Sequence, residues 1–129
     1  MKIEHVAWQV PDPVALADWY VEHLGMRVKR ASSAPPFARF LADDSDRVMI
    51  EVYSNPQVPM PDYAAADPLV MHLAFLTDDV TGTRARLIAA GATPAGEIVV
   101  TPAGDELAML RDPWGIPLQL VRRAEPMIG

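Results

Sequence analysis

Two stretches of the chain are expected to be helical. The first repeats apolar residues at every third or fourth position, which is the period of an α-helix that buries one face, and the second occupies the equivalent place in the second half of the chain. The first covers residues 13–24, where Asp12 suits the N-cap and Gly25 suits the C-cap. The second covers about residues 80–90, where Asp79 suits the N-cap. The pattern therefore predicts two helices, one in each half of the chain.

Shorter stretches alternate apolar and polar residues or are rich in β-branched and aromatic residues, which is typical of β-strands. Turns rich in Pro, Ser, Asp and Gly separate these stretches. In chain order, the predicted strands cover residues 3–10, 26–31, 37–42, 47–54, 69–77, 97–101, 105–111 and 117–122. Together with the helices they give the order β-α-β-β-β twice.

The two halves of the chain also resemble each other residue by residue. Aligning them places His5 opposite His72 and Glu51 opposite Gln119. We therefore predict an α+β fold built from two tandem βαβββ modules, with each helix on the outer face of its sheet. The inner faces of the two curved, mixed sheets are expected to form a cleft.

The length of 129 residues corresponds to one domain. We expect module 1 to cover about residues 1–54 and module 2 about residues 69–123. Between them, residues 55–68 contain four prolines and little periodicity, which predicts an extended linker.

Composition excludes several classes of function. The net charge of -6 and the scattered basic residues argue against nucleic-acid binding. Without cysteine, disulfides, thiolate catalysis and Cys-based zinc sites are excluded. No apolar run approaches the length of a membrane span, and the N-terminus lacks the apolar core of a signal peptide. We expect a cytoplasmic protein that binds neither nucleic acid nor membrane.

Strand alternation assigns four polar side chains to the inner faces, because in each strand the larger apolar set belongs under the helix. These are His5, Glu51, His72 and Gln119. Two imidazoles, a carboxylate and an amide oxygen form a ligand set that suits Fe, Mn, Co, Ni or Zn. Such a set leaves two adjacent positions open for a bidentate substrate. The alternative is that these residues are exposed or form hydrogen-bonded pairs.

Four further residues are candidates for substrate binding. Gln9 and Tyr53 share the inner faces with the four polar residues, and the alternative for them is hydrogen bonding at the edge of the cleft. Arg39 and Arg111 are candidates to bind an anionic group, and the alternative for them is a solvated charge on a strand.

The segments 3–26 and 111–121 are similar to those of the vicinal oxygen chelate superfamily, which includes glyoxalase I, extradiol dioxygenases, methylmalonyl-CoA epimerase, and fosfomycin and bleomycin resistance proteins. The resemblance places the family's metal ligands on the four inner-face residues named above. The fourth ligand is usually Glu in glyoxalase I-like, extradiol dioxygenase-like and fosfomycin-resistance-like members. Gln119 can donate an oxygen to a metal but cannot accept a proton. The candidate catalytic base is therefore Glu51 or a metal-bound hydroxide.

The resemblance implies a metal-dependent isomerase or lyase of the glyoxalase type, acting on a small substrate chelated through vicinal oxygens. One divalent ion per site is expected, either Ni, Zn, Mn, Fe or Co. The alternatives are a metal-free protein that sequesters a ligand, of the bleomycin-resistance type, and an extradiol-type dioxygenase. The resemblance also implies a homodimer, whose site forms within one chain or between two chains.

Overall fold

The computed structural model describes residues 1–128 and divides into two compact units, Met1–Pro61 and Asp62–Gly129. Each unit contains one α-helix that packs on one face of a mixed β-sheet. We call the other face of each sheet its open face. The two units confirm the predicted α+β fold with its repeated β-α-β-β-β order. Among the described residues, neither helix is long and apolar enough to cross a membrane.

The elements of unit 1 are β1 (His5–Gln9), α1 (Pro13–Leu24), β2 (Arg27–Ala31), β3 (Arg39–Ala42) and β4 (Met49–Tyr53). Its sheet has the order β1-β4-β3-β2, in which β1 is parallel to β4 and the other pairs are antiparallel. The Asp12 carboxylate accepts a hydrogen bond from the Ala15 N–H at 3.0 Å and caps α1. Gly25, with φ of 68°, ends the helix. Both predicted ends of this helix are confirmed.

The core of unit 1 lies between α1 and the sheet. Leu16 and Tyr20 of the helix are buried against Leu41 and Val52 of the sheet, all four at 0% exposure. Val6 shares this face of the sheet but remains 54% exposed, because β1 is an edge strand. The helix therefore covers the centre of the sheet and leaves one edge of the apolar face uncovered.

The elements of unit 2 are a turn of 3-10 helix (Tyr63–Ala65), β5 (Leu73–Leu76), α2 (Val80–Ala89), β6 (Thr93–Pro94), β7 (Val99–Val100), β8 (Glu106–Arg111) and β9 (Pro117–Arg122). The sheet order is β5-β9-β8-β6, and β7 also pairs with β8. Two short strands thus occupy the place that β2 holds in unit 1. The sequence pattern predicted only the second of them.

The first strand of unit 2 begins later than predicted, because a turn precedes it. The side chain of Asp67 accepts a hydrogen bond from the Leu69 N–H at 2.8 Å, and its carbonyl accepts one from the Val70 N–H at 2.9 Å. His72 therefore lies immediately before β5 rather than within it.

Two side chains tie the Pro-rich segment to the sheets. The Gln9 amide group donates hydrogen bonds to the carbonyls of Asn55 and Val58, each at 2.9 Å. In unit 2, the Arg111 guanidinium donates to the carbonyls of Tyr63 at 2.9 Å and Ala66 at 2.7 Å. Much of the predicted linker is thereby fastened to one sheet or the other, and its single turn of 3-10 helix departs from the extended conformation predicted for it.

Asp105 fastens the start of β8 to the chain that follows β9. Its carboxylate accepts hydrogen bonds from the Ala124 backbone N–H at 2.9 Å and the Arg123 guanidinium at 2.8 Å. These bonds, the one from Ala124 foremost, lower the pKa of Asp105 from its ordinary value of 3.8.

We expect Asp105→Asn to lower the melting temperature at pH 7 and to lose this effect in acid. Because the pKa is lower in the folded state, the ionised carboxylate stabilises the fold above the unfolded-state pKa. That contribution disappears as the pH falls through the folded-state pKa. The difference in melting temperature between the wild type and the variant should shrink from about pH 5 downward. Asp78→Asn is the control, and a constant difference for Asp105→Asn would contradict the assignment.

Candidate functional site

The two predicted donors of unit 1 lie on neighbouring strands of its open face. In the parallel pair β1/β4, Glu51 lies opposite Ala7, and His5 precedes Ala7 by two residues on the same face. Glu51 is half-buried, and its carboxylate forms no hydrogen bond or ion pair within the described part of unit 1. The structure therefore brings an imidazole and an unpaired carboxylate together on one surface.

Unit 2 repeats this arrangement with an amide in place of the carboxylate. In the parallel pair β5/β9, Gln119 lies opposite Ala74, and His72 precedes Ala74 by two residues. Gln119 is half-buried, and its side-chain amide has no hydrogen-bond partner among the described residues of unit 2. The sequence repeat is thus also a repeat of strand register.

Both imidazoles use their Nδ1 atom within their own unit. His72 Nδ1 lies 2.9 Å from the Pro68 carbonyl oxygen, and His5 Nδ1 lies 3.1 Å from the Glu4 carboxylate. An Nδ1–H that donates to oxygen leaves the lone pair on Nε2, which is the tautomer of a metal-ligating histidine. The second contact is exposed and therefore weaker.

The donor chemistry of each pair fits a divalent metal, since imidazole nitrogen and carboxylate or amide oxygen are usual ligands of Ni, Zn, Mn, Fe and Co. Within neither unit, over the described residues 1–128, do three or more His, Asp or Glu side chains form a group that could hold a metal ion. Each unit supplies two donors, so a four-ligand site requires both pairs. That four-ligand site remains a prediction.

Gln9 and Tyr53 lie opposite each other at the end of the β1/β4 pair. Gln9 is 7% exposed, and its amide group binds the segment 55–59. Its Oε1 also accepts a hydrogen bond from the Asn55 N–H at 2.6 Å. Tyr53 is half-buried. Gln9 therefore holds a loop, while a role for either residue in substrate binding remains a prediction.

The two arginines predicted to bind an anion both donate to backbone carbonyls. Arg39 pairs with Val52, which places it on the helix-covered face, and its guanidinium donates to the Ser32 carbonyl at 2.7 Å. Arg111 donates to the carbonyls of the segment 63–66 and to that of Gly115 at 3.1 Å. These contacts explain both residues as structural, and a role in anion binding remains a prediction.

A pair of side chains that strand alternation alone does not reveal lies next to Glu51. Phe40 is the neighbour of Glu51 on β3, and Arg30 is the neighbour of Phe40 on β2. The Phe40 ring meets the His5 ring edge-on at a centroid distance of 5.5 Å. The Arg30 guanidinium carbon lies 5.8 Å from the centre of the same ring. Arg30, Phe40 and Glu51 are distant in sequence. Only the strand register shows that they form one row across the sheet.

The open face of unit 2 carries an apolar pocket of about 370 Å³. Ala74, the strand partner of Gln119, lines it together with Leu76, Val121 and Met127. A pocket of this size accommodates a small organic molecule. Apolar space is therefore available on the same face as the His72–Gln119 pair.

Comparisons with known proteins agree with this architecture. The structure of SMU.1112c is 28% identical to this chain and covers 94% of it and 98% of its own chain, with a TM-score of 0.73. TnmS3, an antibiotic binding protein from Streptomyces sp. CB03234, is 23% identical and covers 96% of this chain and 97% of its own, with a TM-score of 0.72. A glyoxalase I mutant from Zea mays is 24% identical and covers 96% of this chain and 46% of its own, with a TM-score of 0.75. No curated protein sequence matches the chain.

The sequence profile of one family matches almost the whole chain, from residue 2 to residue 120. This match reaches into both units and includes the positions of His5, Glu51, His72 and Gln119. It confirms the resemblance drawn from the segments 3–26 and 111–121. The chain therefore belongs to the glyoxalase/bleomycin resistance protein/dioxygenase superfamily.

Proposed function

We propose that the protein is a metal-dependent isomerase or lyase of the glyoxalase type, acting on a small substrate that is chelated through vicinal oxygens. The proposed metal ligands are His5, Glu51, His72 and Gln119. The observation that carries the proposal is the repeated register. In each unit a His residue stands two positions before the strand residue that pairs with Glu51 or Gln119. A protein that used these residues only for packing would not need the same donor pair in both halves.

The state of the four side chains supports this proposal. Both imidazoles have a hydrogen-bond partner at Nδ1, which leaves Nε2 available. Glu51 and Gln119 retain unused side-chain oxygens, because neither finds a partner in the described part of its unit. When bound, a divalent ion such as Ni, Zn, Mn, Fe or Co supplies a Lewis acid that stabilises an oxyanion of the substrate.

Glu51 is the proposed catalytic base. Both imidazoles would use their Nε2 lone pair on the metal, which leaves Glu51 as the member of the ligand set that can accept a proton from carbon. Gln119 is limited to donating its carbonyl oxygen or its N–H groups. The apolar pocket on the open face of unit 2 is the proposed place for the remainder of the substrate, which would lie against Ala74 and Leu76.

Elemental analysis of the purified protein tests the metal. We expect about one equivalent of a divalent transition metal per site. The double variant His5→Ala/His72→Ala should bind it at least about 100-fold more weakly. His23→Ala is the matched control, because it removes an imidazole of helix α1 that lies outside the proposed site. Failure of the wild type to bind any of the five metals after reconstitution would overturn the proposal.

A metal-free binding protein is the second candidate, and Gln119 is the observation that favours it. An amide at the fourth position removes the second carboxylate, and one protein of the same fold is described as antibiotic binding. The two candidates differ in their response to a chelator. A sequestering protein keeps its ligand affinity in EDTA, whereas the proposed enzyme loses its metal and with it the chelated substrate.

The proposal includes a homodimer. Strands β1 and β5 are edge strands of their sheets, and Val6 on β1 is 54% exposed. Unpaired strand edges with exposed apolar side chains are surfaces that proteins normally cover. A second copy of this chain is the proposed cover.

A further inference from the structure

We infer that Arg30 binds an anionic group of the ligand, so that the substrate is an acid, with a carboxylate or phosphate in addition to its chelating oxygens. This inference rests on the proposed function for the place of those oxygens, at His5 and Glu51. Three features of Arg30 support it: its position after a β-bulge, the lack of an acidic partner among the described residues, and its contact with Phe40.

A β-bulge turns Arg30 toward the open face. The register of the β2/β3 pair shifts between Val28 and Arg30, so that Val28 faces Leu41 while Arg30 faces Phe40. Leu41 is buried under helix α1, whereas Phe40 lies on the open face beside Glu51. Without the extra residue, Arg30 would share the face of Val28. Bulges of this kind re-aim side chains and are common beside functional sites.

Arg30 is the basic residue of β2 that has no acidic partner. Arg27 and Lys29 both form ion pairs with Asp46, at 3.4 Å and 3.0 Å. The guanidinium of Arg30 forms no ion pair or hydrogen bond in the part of the chain that the structure describes. All the N–H donors of Arg30 are therefore available to a ligand. This is so although acidic side chains outnumber basic ones in the chain, whose net charge is -6.

Phe40 holds the guanidinium in place without occupying its donors. The guanidinium carbon lies 5.8 Å from the ring centre, within the range of a cation–π contact. A stacked guanidinium keeps its planar edge free for a carboxylate or phosphate, which it binds through two parallel hydrogen bonds. Because the same ring contacts His5, the anion site and the proposed metal ligands share one wall.

The spacing of the strands sets the size of the ligand. Arg30 and Glu51 lie two strands apart in the row that passes through Phe40. Neighbouring strands are about 4.8 Å apart, so the two backbones are separated by roughly 10 Å. Both side chains project from the same face. A chain of a few carbon atoms between the chelating oxygens and the anion therefore suits this distance.

Two matched probes test the inference by calorimetry on the zinc-loaded protein. Glutarate monohydroxamate carries a chelating hydroxamate and a carboxylate, and valerohydroxamate replaces the carboxylate by a methyl group. We expect the acidic probe to bind at least about 10-fold more tightly to the wild type. Arg30→Gln should abolish this preference, whereas Arg27→Gln, on the same strand, should retain it. Zinc affinity, measured with zinc alone, should be equal in all three proteins.

Equal affinity of the two probes for the wild type, or an unchanged preference in Arg30→Gln, would overturn the inference. Failure to bind zinc or any of the other four metals would instead overturn the proposed function. In that case the role of Arg30 is tested in the metal-free protein, by NMR of the Nε–H resonance of the Arg30 side chain. A shift produced by the acidic probe and not by the neutral one supports the inference, and equal or absent shifts with both probes overturn it.

Discussion

Asp112→Ala is expected to lower the free energy of unfolding by about 2–4 kcal/mol, because it leaves two backbone donors of a buried turn without their acceptor. Asp112 is 2% exposed, and its Oδ1 accepts hydrogen bonds from the N–H groups of Trp114 and Ile116, each at 2.9 Å. These bonds shape the turn between β8 and β9, the central strands of unit 2. Loss of the carboxylate therefore weakens the hairpin that carries Gln119.

Urea denaturation at pH 7 measures this loss, and Asp112→Asn provides the matched control. Asparagine keeps an oxygen at the position of Oδ1, so it should retain both hydrogen bonds and lose clearly less stability than alanine. If the two variants were equally unstable, the hydrogen bonds from Trp114 and Ile116 would not be the cause of the loss.

Gly115→Ala is expected to cost about 2–4 kcal/mol through two separate effects. The backbone of Gly115 has a φ of 86°, which a residue with a Cβ adopts at a cost of about 1–2 kcal/mol. An added Cβ would also lie 2.8 Å from the Ala64 Cβ and 3.0 Å from the Ala64 backbone nitrogen. Neither atom belongs to a flexible side chain, so the segment around Ala64 must move.

Gly96→Ala separates the two effects, because Gly96 has a similar φ of 90° and open space around its added Cβ. We expect Gly96→Ala to lose only the conformational part. In Gly115→Ala alone, the amides of residues 63–66 should exchange their hydrogens faster as this segment moves away from the hairpin. Equal losses in the two variants, with unchanged exchange in both, would show that the contact with Ala64 contributes nothing.

The helices could be predicted from the sequence because their ends are marked by local chemistry. Asp12, Pro13 and Gly25 act on backbone groups within one turn of helix, so no distant contact is needed to interpret them. The donor pairs could be predicted for a similar reason. Strand alternation has a period of two. The internal repeat places a His and a Glu or Gln at corresponding positions in both halves. Alternation therefore predicts which face of each sheet carries Glu51 or Gln119.

Contacts between residues that are far apart in sequence could not be predicted from local patterns. Nothing local shows that Arg111 donates to carbonyls more than forty positions earlier in the chain, or that Gln9 ties down the segment 55–59. The bulge in β2 also has no clear local sign, and simple alternation places Arg30 on the wrong face of the sheet. Alternation alone therefore predicts the face of a site residue correctly only where the strand has no bulge.

The presence of Gln119 in the second unit, at the position equivalent to Glu51, has a consequence at the level of the gene. The codons for glutamine and glutamate differ only in their first base, and the two side chains have nearly the same length and shape. A single base substitution in the codon for Gln119 would give both halves of the chain the same pair of donors, without disturbing strand β9. A lineage with this fold therefore has a short and reversible route between a site with one proton acceptor and a site with two.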